Sequence, residues 1–124
     1  MSNKAAAAYH GADTLSDLKW LAVDLDGTLF RNNWSPENPD AGVGEPIWAN
    51  IRKAYEAYEA GYKIVIHTAR AWADYQKIEK ALTGIAFPFK AIVCGKILAA
   101  AYIDDRAIPA DHPDWLTAVK EINS

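Results

Sequence analysis

The sequence holds a single cysteine, Cys94, and a single methionine. One cysteine makes neither an internal disulfide nor a zinc cluster, and a chain that relies on neither suits a reducing compartment, so a cytoplasmic protein is expected. No apolar run approaches the roughly 20 residues that cross a bilayer. The opening Met1-Ser2-Asn3-Lys4, followed by Ala5 to Ala8, is too short and too weakly apolar for a signal peptide. An excess of basic charge is also lacking: 13 Lys and Arg stand against 16 Asp and Glu, a net of −3. This excludes a polybasic membrane patch. A nucleic-acid partner is left open, because a local basic cluster does not register in a net charge. Neither Gly-x-x-x-x-Gly-Lys-[Ser/Thr] nor Gly-x-Gly-x-x-Gly occurs, which disfavours a nucleotide-binding kinase.

What is present fits one domain. The chain has 124 residues, with 51% apolar and 23% charged, ordinary values for a globular protein. Residues 1–18 read as a leader of alanines and turn formers, and residues 19–124 as the domain. Short apolar runs at Lys19–Val23, Ile64–Ile66, Ala91–Val93 and Ala101–Ile103 each end in polar or small residues. Such runs suit strands covered on both faces. Helical spacing links Ile47, Ile51, Ala54, Tyr55 and Tyr58, with Pro46 suited to the first turn and Gly61 to the stop. A second pattern joins Trp72, Tyr75, Ile78, Glu79 and Leu82 and closes at Gly84. A third joins Trp115, Val119 and Ile122, with Asp114 as its cap. Strands alternating with helices predict βαβ units and an α/β fold: a Rossmann-like parallel sheet with helices on both faces. The stretch Arg31–Glu45 is rich in turn formers, carries Trp34, and is long enough to read as a functional loop.

Chemistry concentrates at the ends of the apolar runs. Asp24-Leu25-Asp26-Gly27-Thr28 places two carboxylates two residues apart, followed by a glycine that allows a tight turn. Side chains alternate along a strand, so both aspartates face one pocket only if the backbone turns after Asp24. That pocket would lie at the carboxyl edge, where open α/β sheets bind ligands. A second acid pair, Asp104-Asp105, ends the run Ala101–Ile103. Acids gathered at one edge raise each other's pKa unless neutralised, and a hard divalent cation such as Mg²⁺ does that. Thr68, between a strand and a helix, reads as an N-cap, an anion contact, or both. Lys96 is preferred over Lys90 as the site cation, because Lys90 leads into a strand. His67 reads as a packed or locally bonded histidine rather than a general base. A nucleophile-grade aspartate, a second carboxylate, a hydroxyl, a lysine and a further acid pair suit phosphoryl transfer through an aspartyl-phosphate.

In this order the residues resemble the haloacid dehalogenase superfamily, whose members are mostly Mg²⁺-dependent phosphohydrolases. Asp24–Thr28 looks like its first motif, Thr68 its second, Lys96 its third and Asp104-Asp105 its fourth. Thr68-Ala69-Arg70 and Tyr102–Ala107 look like a group of small capless members. The resemblance implies a single capless domain with the Asp24 and Asp104 strands as neighbours. It implies Asp24 as the nucleophile and Asp26 as the acid and then the base. Thr68 would bond a phosphoryl oxygen, and Lys96 would stabilise negative charge. Mg²⁺ would be held by Asp24, by the Asp26 carbonyl and by Asp104, with Asp105 acting through water or orienting the lysine. Gly27, Arg70 and Trp34 are expected to touch substrate. Trp72 is expected to pack, and Arg106 to reach phosphate.

The segments Leu29–Glu45 and Thr68–Lys96 are too short for a cap, so the site is expected to be open. An open site suits large phosphorylated substrates, nucleic-acid ends included, or cover borrowed from a second copy of the chain. A low-turnover binding or regulatory module is the competing reading. Response-regulator receivers are disfavoured, because their adjacent acid pair comes first and here it comes last.

Overall fold

The computed structural model describes residues 19–123, so the expected leader at 1–18 lies outside the described residues. Strand β1 (Trp20–Val23) leads through the irregular loop to helix α1 (Trp48–Glu59). Strand β2 (Lys63–His67) follows, then a 3₁₀ turn (Trp72–Asp74), helix α2 (Tyr75–Gly84), strand β3 (Ala91–Val93) and helix α3 (Trp115–Ile122). The three strands form one parallel sheet in the order β1-β2-β3. The α/β class and the parallel sheet therefore hold.

The helices bury part of the stripe their spacing predicts. Ile51, Ala54 and Ala57 are the buried residues of α1, and Ile78 and Leu82 those of α2. Tyr55 and Tyr58, placed on the apolar stripe by spacing, are 38% and 45% exposed and meet edge-on with ring centroids 5.8 Å apart. Pro46 sits ahead of α1, where it bridges to Phe30. In α3, Asp114 caps as expected: its carboxylate accepts the Thr117 N–H at 3.0 Å. Trp115 and Val119 are buried there, and α3 lies against α1.

The sheet differs from expectation in two respects. The register pairs Leu21 with Ile64, and Val23 with Ile66, which in turn pairs with Ile92. These residues share one face, and Val23, Ile64, Ile66 and Ile92 belong to the main core with Leu25, Leu29, Ile51, Ile78 and Leu82. Right-handed crossovers that step the same way across a sheet put α1 and α2 on that same face. The opposite face carries Trp20, Ala22, Lys63, Val65, His67, Ala91 and Val93, each exposed or half-exposed. Helices on both faces are thus not found among the described residues. The fourth strand is also missing: Ala101–Ile103 is irregular and Ile103 is fully exposed, so one edge of β1 has no described partner strand. A three-residue apolar run makes a strand only when it meets an edge, and here it meets none.

Candidate functional site

Leaving β1, the backbone turns at once. The N–H groups of Thr28, Leu29 and Phe30 all converge on the Leu25 carbonyl, and Gly27 N–H donates to the Phe30 carbonyl at 2.7 Å. Gly27 adopts φ +82°, a left-handed conformation that favours glycine. This is the turn that the Asp-x-Asp-Gly spacing requires, and it brings Asp24 and Asp26 close enough to couple electrostatically.

Asp24 is half-buried, and its Oδ1 accepts the Leu25 N–H at 2.9 Å. Burial raises its pKa above the usual aspartate value. Lys96 and the Leu25 hydrogen bond oppose the rise, whereas Asp26 adds to it. The pairing of Val23 with Ile66 puts Asp24 abreast of His67, and the two interact electrostatically. Burial and then Lys96 lower the His67 pKa, so the imidazole beside Asp24 favours its neutral form. His67 is only half-buried, at the rim of the open face. The sequence offered one signal for it, its place immediately before Thr68 at a strand end.

Asp26 is organised differently. Both of its carboxylate oxygens are gripped by Arg70, Nε to Oδ2 at 2.8 Å and the second nitrogen, Nη2, to Oδ1 at 2.9 Å. Arg70 is fully buried. Its remaining donors reach the Ala41 carbonyl at 2.8 Å, the Gly42 carbonyl at 3.2 Å and the Asp74 carboxylate at 3.4 Å. A guanidinium has five N–H donors, and these contacts occupy them all. Arg70 therefore stands elsewhere than expected: rather than reaching for substrate, it ties Asp26, Asp74 and the irregular loop together. Burial alone would lower its pKa, but the Asp26 hydrogen bonds and the Asp26 and Asp74 charges outweigh that and raise it.

Thr68 follows β2 and is buried, with its Oγ accepting the Arg70 N–H at 3.1 Å. Its amide donates to the Val93 carbonyl, and its carbonyl accepts the Lys96 N–H, both at 2.9 Å. Thr68 thus stitches the ends of β2 and β3 together. The helix expected to follow it directly begins only after the 3₁₀ turn. Gly95 at φ +84° donates to the Arg70 carbonyl and swings the chain so that Lys96 acts on Asp24 and His67. The Lys96 ammonium rests 4.6 Å from the Tyr102 ring centroid. Asp24, Asp26, Thr68 and Lys96 therefore gather at the carboxyl edge of the sheet.

Asp104 and Asp105 do not join them. Both are exposed on the irregular segment, where Asp104 accepts the Arg106 N–H at 2.9 Å. The Arg106 side chain turns to Asn123 beyond α3 rather than to the site. Among the described residues no group of three or more His, Cys, Asp or Glu is poised to hold a metal ion. Of the residues expected to hold Mg²⁺, Asp24 and Asp26 lie at this edge. A burial-raised carboxylate with a second acid beside it is the environment a hard cation relieves. The Asp26 carboxylate is already taken by Arg70. Trp34 lies half-buried in the irregular loop. Trp72, expected to pack, is mostly exposed and stacks on Tyr75 at 6.2 Å.

Fold and site together define a small α/β protein with an acid-lined carboxyl edge. No family model matches the chain, and no curated protein matches it. A crystal structure of a structural-genomics target from Vibrio cholerae superposes with a TM-score of 0.63 at 30% identity, covering 84% of this chain and 95% of that one. The chain belongs to the same family as that Vibrio cholerae protein. No helix among the described residues is long and apolar enough to cross a membrane.

Proposed function

We propose that this protein is a Mg²⁺-dependent phosphomonoesterase of the haloacid dehalogenase type, a capless Rossmann-like domain working through an aspartyl-phosphate on Asp24. What carries the reading is the convergence of Asp24, Asp26, Thr68 and Lys96 from three strand ends onto one edge of the sheet. In this reading the Asp24 carboxylate attacks phosphorus, the bond from phosphorus to the leaving oxygen breaks, and Asp26 hands that oxygen its proton. Asp26, left as the carboxylate that Arg70 holds, then takes a proton from the water that cleaves the acyl phosphate. The Thr68 hydroxyl hydrogen is offered to a phosphoryl oxygen, and Lys96 balances charge on the nucleophile and phosphate. Asp24 and the Asp26 carbonyl would hold Mg²⁺, which lowers the repulsion between two anions.

The test is phosphate release from an aryl phosphate, with and without Mg²⁺, by wild type and by Asp24→Asn. Turnover that needs Mg²⁺ and is lost in the variant is expected. Turnover retained in Asp24→Asn refutes the aspartyl mechanism. The separation of Asp104-Asp105 from Asp24 favours one second reading, a low-turnover metal- and phosphate-binding module. Its signature is Mg²⁺ binding without measurable release in either protein.

A further inference from the structure

We propose that the sheet face the described residues leave uncovered is the track on which a single-stranded nucleic-acid end lies, its terminal phosphate at Asp24. This rests on the phosphatase reading and names its substrate class. The face is built in rows. Asp24, His67 and Val93 stand at the carboxyl end, Ala22, Val65 and Ala91 in the middle, and Trp20 and Lys63 at the amino end. Lys63 and His67 are four residues apart, about 13 Å along a strand. The middle row is small and apolar, a flat floor on which a base can lie. Trp20 is 51% exposed, an aromatic surface open to stacking. The Lys63 ammonium stands 5.3 Å from the Trp20 ring centroid, so a base stacked there has a cation beside it for the next phosphate. Lys96 supplies positive charge at the other end, beside Asp24.

Stacking platforms interleaved with cations are how proteins hold single strands without reading sequence. Parallel sheets are ordinarily covered on both faces. A purely apolar cover would leave Lys63 and Lys96 facing it, and among the described residues both ammonium groups rest on aromatic rings and form no ion pair within 4.0 Å. Charge therefore favours a polyanion over a second copy of this acidic chain.

The experiment uses the full chain carrying Asp24→Asn, so that binding is read without turnover. Fluorescence anisotropy measures its affinity for a six-nucleotide single-stranded DNA in 5′-phosphorylated, 3′-phosphorylated and unphosphorylated forms. At least one phosphorylated form is expected to bind more tightly than the unphosphorylated strand. Adding Trp20→Ala should weaken that binding about tenfold, and Lys63→Glu should weaken it and flatten its salt dependence. Aryl-phosphate turnover by the single variants Trp20→Ala and Lys63→Glu should match wild type, which also shows that both fold. No binding, binding indifferent to both substitutions, or tighter binding of a phosphopeptide of similar length overturns the proposal. So does a dimer whose formation excludes the strand. The aryl-phosphate assay alone decides the phosphatase reading, so the two fail separately.

Discussion

Replacing Arg70 with methionine removes the guanidinium while keeping much of its length. The Asp26 carboxylate would lose both charge-assisted bonds, at 2.8 and 2.9 Å, while only 9% of that side chain is exposed to water. The Ala41 and Gly42 carbonyls would lose their donors as well. Breaking a buried pair by deleting one partner costs about 3–5 kcal/mol, because the remaining charge is stranded. The carbonyl losses are softened by water entering the loop, so the upper part of that range is the ceiling. For a domain of this size each kcal/mol moves the Tm by roughly 3–6 °C, so a fall of about 10–30 °C is expected in a thermal melt followed by circular dichroism. The double variant Arg70→Met/Asp26→Leu removes both charges. It should recover much of the loss, giving a coupling energy of about 2 kcal/mol or more in the cycle. Additive losses, or an Arg70→Met protein within 1 kcal/mol of wild type, would refute the claim that this ion pair organises the edge.

Three further outcomes follow from single residues. Gly27→Ala should cost about 1–2 kcal/mol in a urea titration. The cost is purely conformational, because the new Cβ would meet only Asn32 Cβ at 4.0 Å. Asp114→Ala should lower the Tm at neutral pH. The Thr117 hydrogen bonds hold the Asp114 pKa below its usual 3.8, so the cap's contribution is present above that value. It is lost as pH falls through the folded pKa, and the two proteins should melt together in strong acid. Asp24→Asn, measured without divalent metal, should raise the Tm at pH 7, because burial raises the Asp24 pKa and so penalises its charged form. Wild type should close the gap as pH falls through the raised folded pKa towards 3.8, where the native carboxyl takes up its proton first.

The parts of this fold that were legible in the sequence are those decided locally. The helices were readable because Ile51 and Ala54, or Ile78 and Leu82, recur at a period set by the backbone alone. The turn after Asp24 was readable because an Asp-Gly step at a strand end has few other conformations. Arg70 was misread for the opposite reason. Its partners lie 44 residues away at Asp26 and 28 and 29 residues away in a loop without periodicity, and no local pattern announces a bidentate pair over such distances. Ala101–Ile103 was misread because its composition says only that it can be a strand, whereas a strand exists only with a neighbour. The same limit applies to the face of the sheet. Alternation in β2 is complete in the structure, Ile64 and Ile66 buried against Val65 and His67 half-exposed, yet all of these except His67 are apolar. A run of Ile-Val-Ile therefore could not say that one side would stand open. His67 is the residue that breaks the run, and it does so beside Asp24, where the open side meets the chemistry. A strand that places an imidazole rather than another branched apolar residue at that position fits a face meant to meet water and a polar ligand better than one meant to be sealed.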